Sequence, residues 1–287
     1  MDTSNKISVI ITTYNRRQFV ERAIQSVLQQ THTADEIICI DDGSTDGTDT
    51  FVKANFPKIL YYRQENKGIS NARNEGIHRS TGNWLAFLDS DDTWHPRKLE
   101  KQMKSLSASD NYLICHTNEI WIRNGRRVNQ KKIHQKYGGE IYQRCLPLCI
   151  ISPSSVVIHR SVFIKAGLFD ETMPVCEDYD LWLRICLHFP VCFVDEPLIY
   201  KYGGHDDQLS QKYWGMDRFR IYALENILTA PGLAGENKQA TIRELIKKTD
   251  VYISGCKKRN KTEESALFTA KRKKYLSLLD SFHLFHI

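Results

Sequence analysis

The chain has 287 residues, 41% of them hydrophobic and 26% charged, with a formal net charge of +6. That balance belongs to a globular protein, and neither a signal peptide nor an apolar run long enough to span a bilayer is visible. The eight cysteines form no Cys-x-x-Cys pair and several lie inside apolar runs, which argues against a zinc site and for reduced core residues in a cytosolic protein.

In chain order, Ile7–Thr13 is a β-branched run that reads as a fully buried strand. Tyr14, Asn15 and Arg16 form a loop, after which Phe19, Ala23, Ile24, Val27 and Leu28 recur at helical spacing. Glu36–Asp41 is a second buried strand ending in a loop dense in turn residues, Asp42-Gly43-Ser44-Thr45-Asp46-Gly47. A helix through Phe51 and Val52, a strand at Ile59–Tyr62 and a helix opening near Gly68-Ile69-Ser70 follow.

Trp84–Leu88 is a short aromatic-rich strand that climbs into Asp89-Ser90-Asp91-Asp92. Side chains alternate along an extended chain, so Asp89 and Asp91 share one side. Two such carboxylates repel each other unless a cation joins them, and Mg2+ or Mn2+ shared with a phosphate suits that chemistry. The alternative is a solvated acidic turn. Strands alternating with helices predict βαβ units and a parallel sheet. In such sheets ligands bind beyond the carboxyl ends of the strands. The loops Thr12–Arg16, Asp41–Asp46 and Asp89–Asp92 are therefore expected to face one crevice.

Beyond residue 95 the pattern changes. Pro96–Leu106 reads as a helix, Tyr112–Asn118 as a strand, and the basic stretch 123–140 as a loop or ragged hairpin. Ser155–His159 is a strand, and Ser161–Ala166 a short helix capped by Ser161 and stopped by Gly167. A helix over Tyr179–His188, two short strands at Val191–Asp195 and Leu198–Tyr202, and a loop from Gly203 to Asp207 come next. From Trp214 onward the chain reads as helical, with breaks at Ala230–Glu236 and near Lys258–Lys261.

The strings Ser8–Arg16, Asp41–Asp46 and Asp89–Asp92 occur in this order with Asn66-Lys67-Gly68…Ala72-Arg73-Asn74 and with Glu177–Arg184. Together they resemble the family 2 glycosyltransferases over about residues 6 to 210. The resemblance implies a GT-A, Rossmann-like α/β fold, with a mostly parallel central sheet flanked by helices. It implies a catalytic domain over 1–210, its nucleotide-sugar half near 1–95 and its acceptor half near 96–210, followed by a C-terminal helical extension over 211–287. The implied activity is inverting, metal-dependent transfer of a sugar from a nucleotide-sugar donor, commonly UDP-linked, to a hydroxyl of a glycan or polyprenyl-linked acceptor in cell-surface polysaccharide synthesis.

By the same resemblance Asp42 reads the base, Thr12 and Tyr14 wall the base and ribose, and Arg73 meets the diphosphate. Asp91 ligates the Mn2+ or Mg2+, Asp89 serves the metal or the ribose, and His205 approaches metal or phosphate. Asp178 is the general base, with Glu177 on the acceptor side, where Trp182 either lines the pocket or sits in the core. A helix N-terminus lowers the pKa of such a base while a neighbouring Glu177 raises it. Lysine and arginine also offer other readings here: Arg73, Lys67 and Arg16 are equally at home on a solvated surface.

Residues 238–274 hold 12 Lys+Arg against 4 Asp+Glu and run into an aromatic and aliphatic tail. Two readings stand: docking on an anionic membrane at the inner face of the cell, or packing of the apolar stripe on the catalytic domain. No nucleic-acid recognition motif accompanies the charge, and a homodimer is left open. A catalytically silent nucleotide-sugar-binding or scaffold protein would lack one of the three acidic sites. A nucleotidyltransferase would carry a glycine-rich triphosphate loop where this chain has Thr12-Thr13-Tyr14-Asn15-Arg16.

Overall fold

The computed structural model of the protein describes residues 5–109, 111–204 and 212–284. Its first half alternates strand and helix: β1 (Ile7–Thr13), α1 (Arg17–Leu28), β2 (Glu36–Asp41), α2 (Thr48–Asn55), β3 (Leu60–Arg63), α3 (Ile69–Arg79) and β4 (Trp84–Asp89). Then come β5 (Thr93–Trp94), α4 (Lys98–Ser107), β6 (Ile114–Arg123), β7 (Arg126–Val128), α5 (Tyr142–Cys145), β8 (Val157–His159), α6 (Val162–Ala166), α7 (Glu177–Cys186) and β9 (Cys192–Gly203). Three helices close the described chain: α8 (Asp217–Leu228), α9 (Gly235–Lys257) and α10 (Thr262–Leu284).

The nine strands form one sheet in the order β3-β2-β1-β4-β8-β6-β9-β5, with β7 paired to β6. The β3-β2-β1-β4 half is wholly parallel, as βαβ crossovers require. The other half is mixed: β8 runs antiparallel to both β4 and β6, and β6 pairs β9 in parallel. Alternation along the strands sorts the core into two layers. Val9, Ile11, Ala86 and Leu88 pack with α1 and α4 on one face. Ile10, Leu85 and Phe87 pack on the other with α7, α8 and α9. Gly76 of α3 lies so close to β1 that a Cβ there would meet Ile10 Cγ2 at 2.3 Å.

Several sequence expectations shift. The two short strands expected at Val191–Asp195 and Leu198–Tyr202 are one strand, β9, whose pairing with β6 slips between Thr117 and Glu119. Bulges of this kind let one strand keep its ladder past an irregular stretch. Ser161 makes no capping bond; its hydroxyl meets His159 Nδ1 at 2.8 Å instead. The basic stretch after β6 does turn back as a hairpin, through Asn124 and Gly125 in the left-handed region. All eight cysteines are free thiols.

The C-terminal helices share the core of the sheet layer that holds α7. Ile242, Leu245, Tyr252 and Tyr275 are buried in the same cluster as Trp182. Tyr142 OH meets Thr241 Oγ1 at 2.7 Å, and Lys248 Nζ donates to the Pro147 carbonyl at 2.8 Å. Lys273 and Lys274 point to solvent. No described helix is long and apolar enough to cross a membrane.

Candidate active site

Because β1, β2 and β4 run parallel, their carboxyl ends come out on one edge, with Thr12 beside Asp89 and Thr13 beside Asp41. The loops that follow them open onto a single cavity of about 1030 Å3, lined by Thr12, Tyr14, Asp42, Arg73, Asp89 and Asp91 together with parts of α3 and β9. The first two loops are stitched together. Asn15, in the left-handed conformation that asparagine tolerates, donates its N–H to Ser44 Oγ and accepts from Thr45 N, each at 2.8 Å. Tyr14 is then left 47% exposed at the rim, while Thr12 is buried at the floor.

Asp41 and Asp42 divide their work. Asp41 closes its own turn, accepting from Ser44 N at 2.7 Å and from the Tyr61 hydroxyl. Asp42 reaches across to the next loop, accepting from Gln64 Nε2 at 2.7 Å, Lys67 N at 2.9 Å and Gly68 N at 2.8 Å. It faces the cavity with a carboxylate already fixed by three donors. Gly68 has a φ of 91°, which a side-chain-bearing residue would adopt only with strain.

The acidic cluster separates into different tasks. Asp92 turns into the protein, accepting from Ser154 Oγ at 2.7 Å and Tyr202 N at 3.2 Å; Ser154 Oγ in turn accepts from Asp89 N at 3.2 Å. Burial, and then Asp91, push the Asp92 carboxyl well above its ordinary value. Arg22 holds the Asp91 backbone, donating to its carbonyl at 2.6 Å while its guanidinium stacks 3.9 Å over the Tyr202 ring. The Asp91 carboxyl is raised by burial and by Asp89, with Arg16 opposing.

Asp89 and Asp91 thus form a repelling pair at the cavity, the situation a hard cation relieves. Among the described residues no three His, Cys, Asp or Glu side chains converge on one point. The described residues at this point offer the carboxylates of Asp89 and Asp91, hard oxygen donors that fit Mg2+ or Mn2+. His205, expected near this point, lies outside the described residues.

Arg73 lines the cavity, but with its guanidinium already engaged by protein. Both ends of its buried guanidinium are taken by protein, Nη2 by Asp89 at 2.8 Å and Nη1 by Glu177 at 2.6 Å, and it stacks on Phe169 at 5.2 Å. Burial works against its charge, but Asp89 and Glu177 outweigh it and hold the guanidinium above its ordinary pKa. It is a clamp joining the end of β4 to the start of α7 before it is anything to a ligand. Glu177 is pushed up to about 7 by burial, with Arg73 pulling down and Asp178 pushing up.

Asp178 occupies the first turn of α7, half-buried, its Oδ1 accepting from Tyr179 N at 2.7 Å. It stands beside the cavity wall: its charge acts on Arg73 and Lys201, which both line the cavity. Trp182, one turn further, is 1% exposed and packs edge-on against Phe169 at 6.4 Å. Of the two places open to it, acceptor pocket or core, it takes the core, because the α7 face carrying it is the one pressed onto the sheet layer.

Lys201 is the residue that sequence reasoning passed over. It lines the cavity beside the acidic cluster and donates to Ser152 Oγ at 3.2 Å. Burial disfavours its charge, yet Glu119, Asp92, Asp89 and Asp178 hold the ammonium above the ordinary lysine value. Behind it Glu119 and Lys136 form a buried pair at 3.2 Å, with side chains 3% and 2% exposed. A lone lysine within the apolar run of β9 was the available signal.

Comparison with known proteins adds the following. Residues 8–167 match the family model described as glycosyl transferase family 2. An uncharacterized glycosyltransferase of Rickettsia typhi is 33% identical over 207 residues, covering 70% of this chain and 65% of that one. The chain thus spans a little under two thirds of that relative's length. The putative teichuronic acid biosynthesis glycosyltransferase TuaG of Bacillus subtilis is 44% identical over 103 residues, 34% of this chain and 40% of that one. Among solved structures, S. aureus TarS 1–349 in complex with UDP-GlcNAc superposes with a TM-score of 0.70 at 18% identity, covering 97% of this chain and 92% of that one. At that identity the likeness speaks for the fold.

Proposed function

The chain belongs to glycosyl transferase family 2 and carries its GT-A fold, and from that premise we propose that this glycosyltransferase moves a sugar, with inversion, from a UDP-linked donor to a hydroxyl of a surface-glycan acceptor. The observation that carries the reading is the convergence of the β1, β2 and β4 loops on one cavity with the start of α7 beside it. Asp42 reads the base at one end, Thr12 and Tyr14 wall the ribose, and Asp89 and Asp91 face the diphosphate. TarS was solved with UDP-GlcNAc, which supports the donor class proposed for this chain.

Charge balance supports it as well. Arg16, Lys67, Arg73, Lys201 and Lys212 line the cavity against Asp42, Asp89, Asp91, Asp92 and Glu171. Among the described residues these charges are equal in number, and with Asp92 turned inward and its carboxyl pushed up, the wall is not acidic toward a nucleotide sugar's diphosphate. Asp91 and Asp89 would hold a divalent cation, which would supply Lewis-acid neutralisation of the leaving diphosphate. Asp178 takes the proton from the acceptor hydroxyl. The freed oxygen bonds to the anomeric carbon from the face opposite the leaving group, and the bond from that carbon to the phosphate oxygen breaks with its electrons going to the nucleotide. Asp92, Ser154, Tyr202 and Arg22 keep Asp91 in place, and Arg73 keeps Asp89 in register with α7. We assign residues 1–210 to the catalytic domain and 211–287 to a helical extension that completes its core.

The test is transfer from a panel of UDP-sugars by the wild type and by Asp178→Asn, with product configuration read by NMR. The expected outcome is an inverted product, a loss of at least about 100-fold in turnover for the variant, and unchanged UDP affinity. Wild-type turnover in Asp178→Asn would overturn the assignment.

A further inference from the structure

Between Glu119 and Glu140 the chain carries six lysines and arginines and no acid. Lys136 is buried against Glu119. The other five, Arg123, Arg126, Arg127, Lys131 and Lys132, are exposed, and none forms an ion pair among the described residues. They sit on the β6–β7 hairpin and the turn that follows it. Five like charges on one flap repel one another, so the arrangement costs stability unless a polyanion meets it.

The flap borders a groove of about 270 Å3 whose wall includes Trp121, Asn129 and Gln130. Trp121 is the register partner of Lys201 across the parallel β6–β9 pair, so the two lie side by side on one face. Lys201 lines the catalytic cavity. A hydrogen-bonded chain also joins them: Trp121 Nε1 donates to Glu119 Oε1 at 2.6 Å, Ser152 Oγ donates to Glu119 Oε2 at 2.7 Å, and Lys201 Nζ donates to Ser152 Oγ at 3.2 Å. The groove is therefore one strand away from the transfer site, on the side opposite the β1–β3 strands.

We propose that this groove and its basic flap are an acceptor subsite for an anionic glycan chain, one carrying phosphate or carboxylate groups along its length. Trp121 offers an aromatic surface to the C–H face of a sugar or polyol, Asn129 and Gln130 offer amides to its hydroxyls, and the flap cations take its charges. The charges are on flexible exposed side chains, so the attraction is long-ranged and salt-sensitive, suited to feeding a repeating polymer past the site. The proposal rests on the reading of the adjacent cavity as a transfer site.

The test is calorimetric binding at low and high salt, using the full chain and Arg126→Gln/Arg127→Gln/Lys131→Gln, three surface changes that leave the core intact. The probes are poly(glycerol phosphate), polygalacturonate, neutral dextran of equal length, anionic phospholipid vesicles and single-stranded RNA. UDP with Mn2+ is titrated in parallel. The expected result is binding of at least one anionic glycan at least about 10-fold tighter than dextran, with a matching loss in the variant and unchanged UDP affinity. The phosphate and carboxylate polymers tell which anion is read. Equal affinity for dextran, or an unchanged variant, would overturn the proposal, as would vesicles or RNA binding the flap more tightly than either polymer. Failure of UDP to bind would count against the transfer site itself, whereas UDP binding without glycan binding counts against the subsite alone.

Discussion

Lys98 and Glu119 are buried charges with opposite fates. The Lys98 ammonium has no hydrogen-bond partner among the described residues and lies 3.9 Å over the Trp94 ring. Burial pulls its pKa down to about 7, with Cys115 opposing. An unfolded lysine stays charged to a higher pH than this one, so stability rises with pH between about 7 and the ordinary lysine value. Lys98→Met should raise the unfolding free energy at pH 7 by about 1–3 kcal/mol, and denaturant titrations across that range should show the gain shrinking as pH rises. A gain independent of pH would contradict the assignment. Glu119 is different: burial favours its neutral form, but Lys136, Lys201, Trp121 and Ser152 outweigh it and hold the carboxyl down to about 2. Its lowered pKa contributes stability above the unfolded value of 4.5, lost as pH falls toward about 2. Glu119→Gln should cost about 3 kcal/mol at pH 7 and flatten the acid limb of the stability curve. An unaltered limb would show that the pair with Lys136 does not carry it.

Elements place these residues, and the two halves of the chain differ in how far they can be read from sequence. β1, β2 and β4 are short β-branched or aromatic runs, each followed at once by its polar loop, so the site side of each loop follows from strand direction alone. Thr12, Asp42, Asp89 and Asp91 were legible for that reason. Lys201 and Glu119 were not, because only the long-range pairing of β6 with β9 brings Lys201 to the cavity with Glu119 behind it, and a slipped register sits between Thr117 and Glu119. The role of Arg73 was illegible too: Glu177, which turns it inward, lies 104 residues away in sequence. The inward turn of Asp92 rests on Ser154 and Tyr202, which come from other elements. The tight seat of α3 on β1 makes an element-scale prediction. Gly76→Ala pushes a Cβ into Ile10, so α3 must lift, which should cost about 1–3 kcal/mol in stability. Because α3 carries Arg73, transfer should fall further than unfolding at the assay temperature explains. A variant of wild-type stability would show that α3 has room to move.

At the scale of the molecule, a parallel half-sheet supplies one loop-lined edge, the mixed half-sheet brings β9 and α7 to that edge, and α8 packs on α7 with α9 and α10 layered behind it. Ile221, Leu224, Ile242, Leu245 and Tyr275 of those helices are buried in the catalytic core, and Lys273 and Lys274 face solvent. In the proposed function this edge would bind a nucleotide diphosphate through a divalent cation held by Asp89 and Asp91. The direct measurement is isothermal titration of UDP into the wild type and Asp91→Ala, each with Mn2+ and with a chelator. Wild-type affinity should drop at least about 10-fold on removing the metal, and Asp91→Ala should bind weakly in both conditions while unfolding at or above the wild-type midpoint. UDP binding equally tight with chelator, or equally tight in Asp91→Ala with Mn2+, would contradict it.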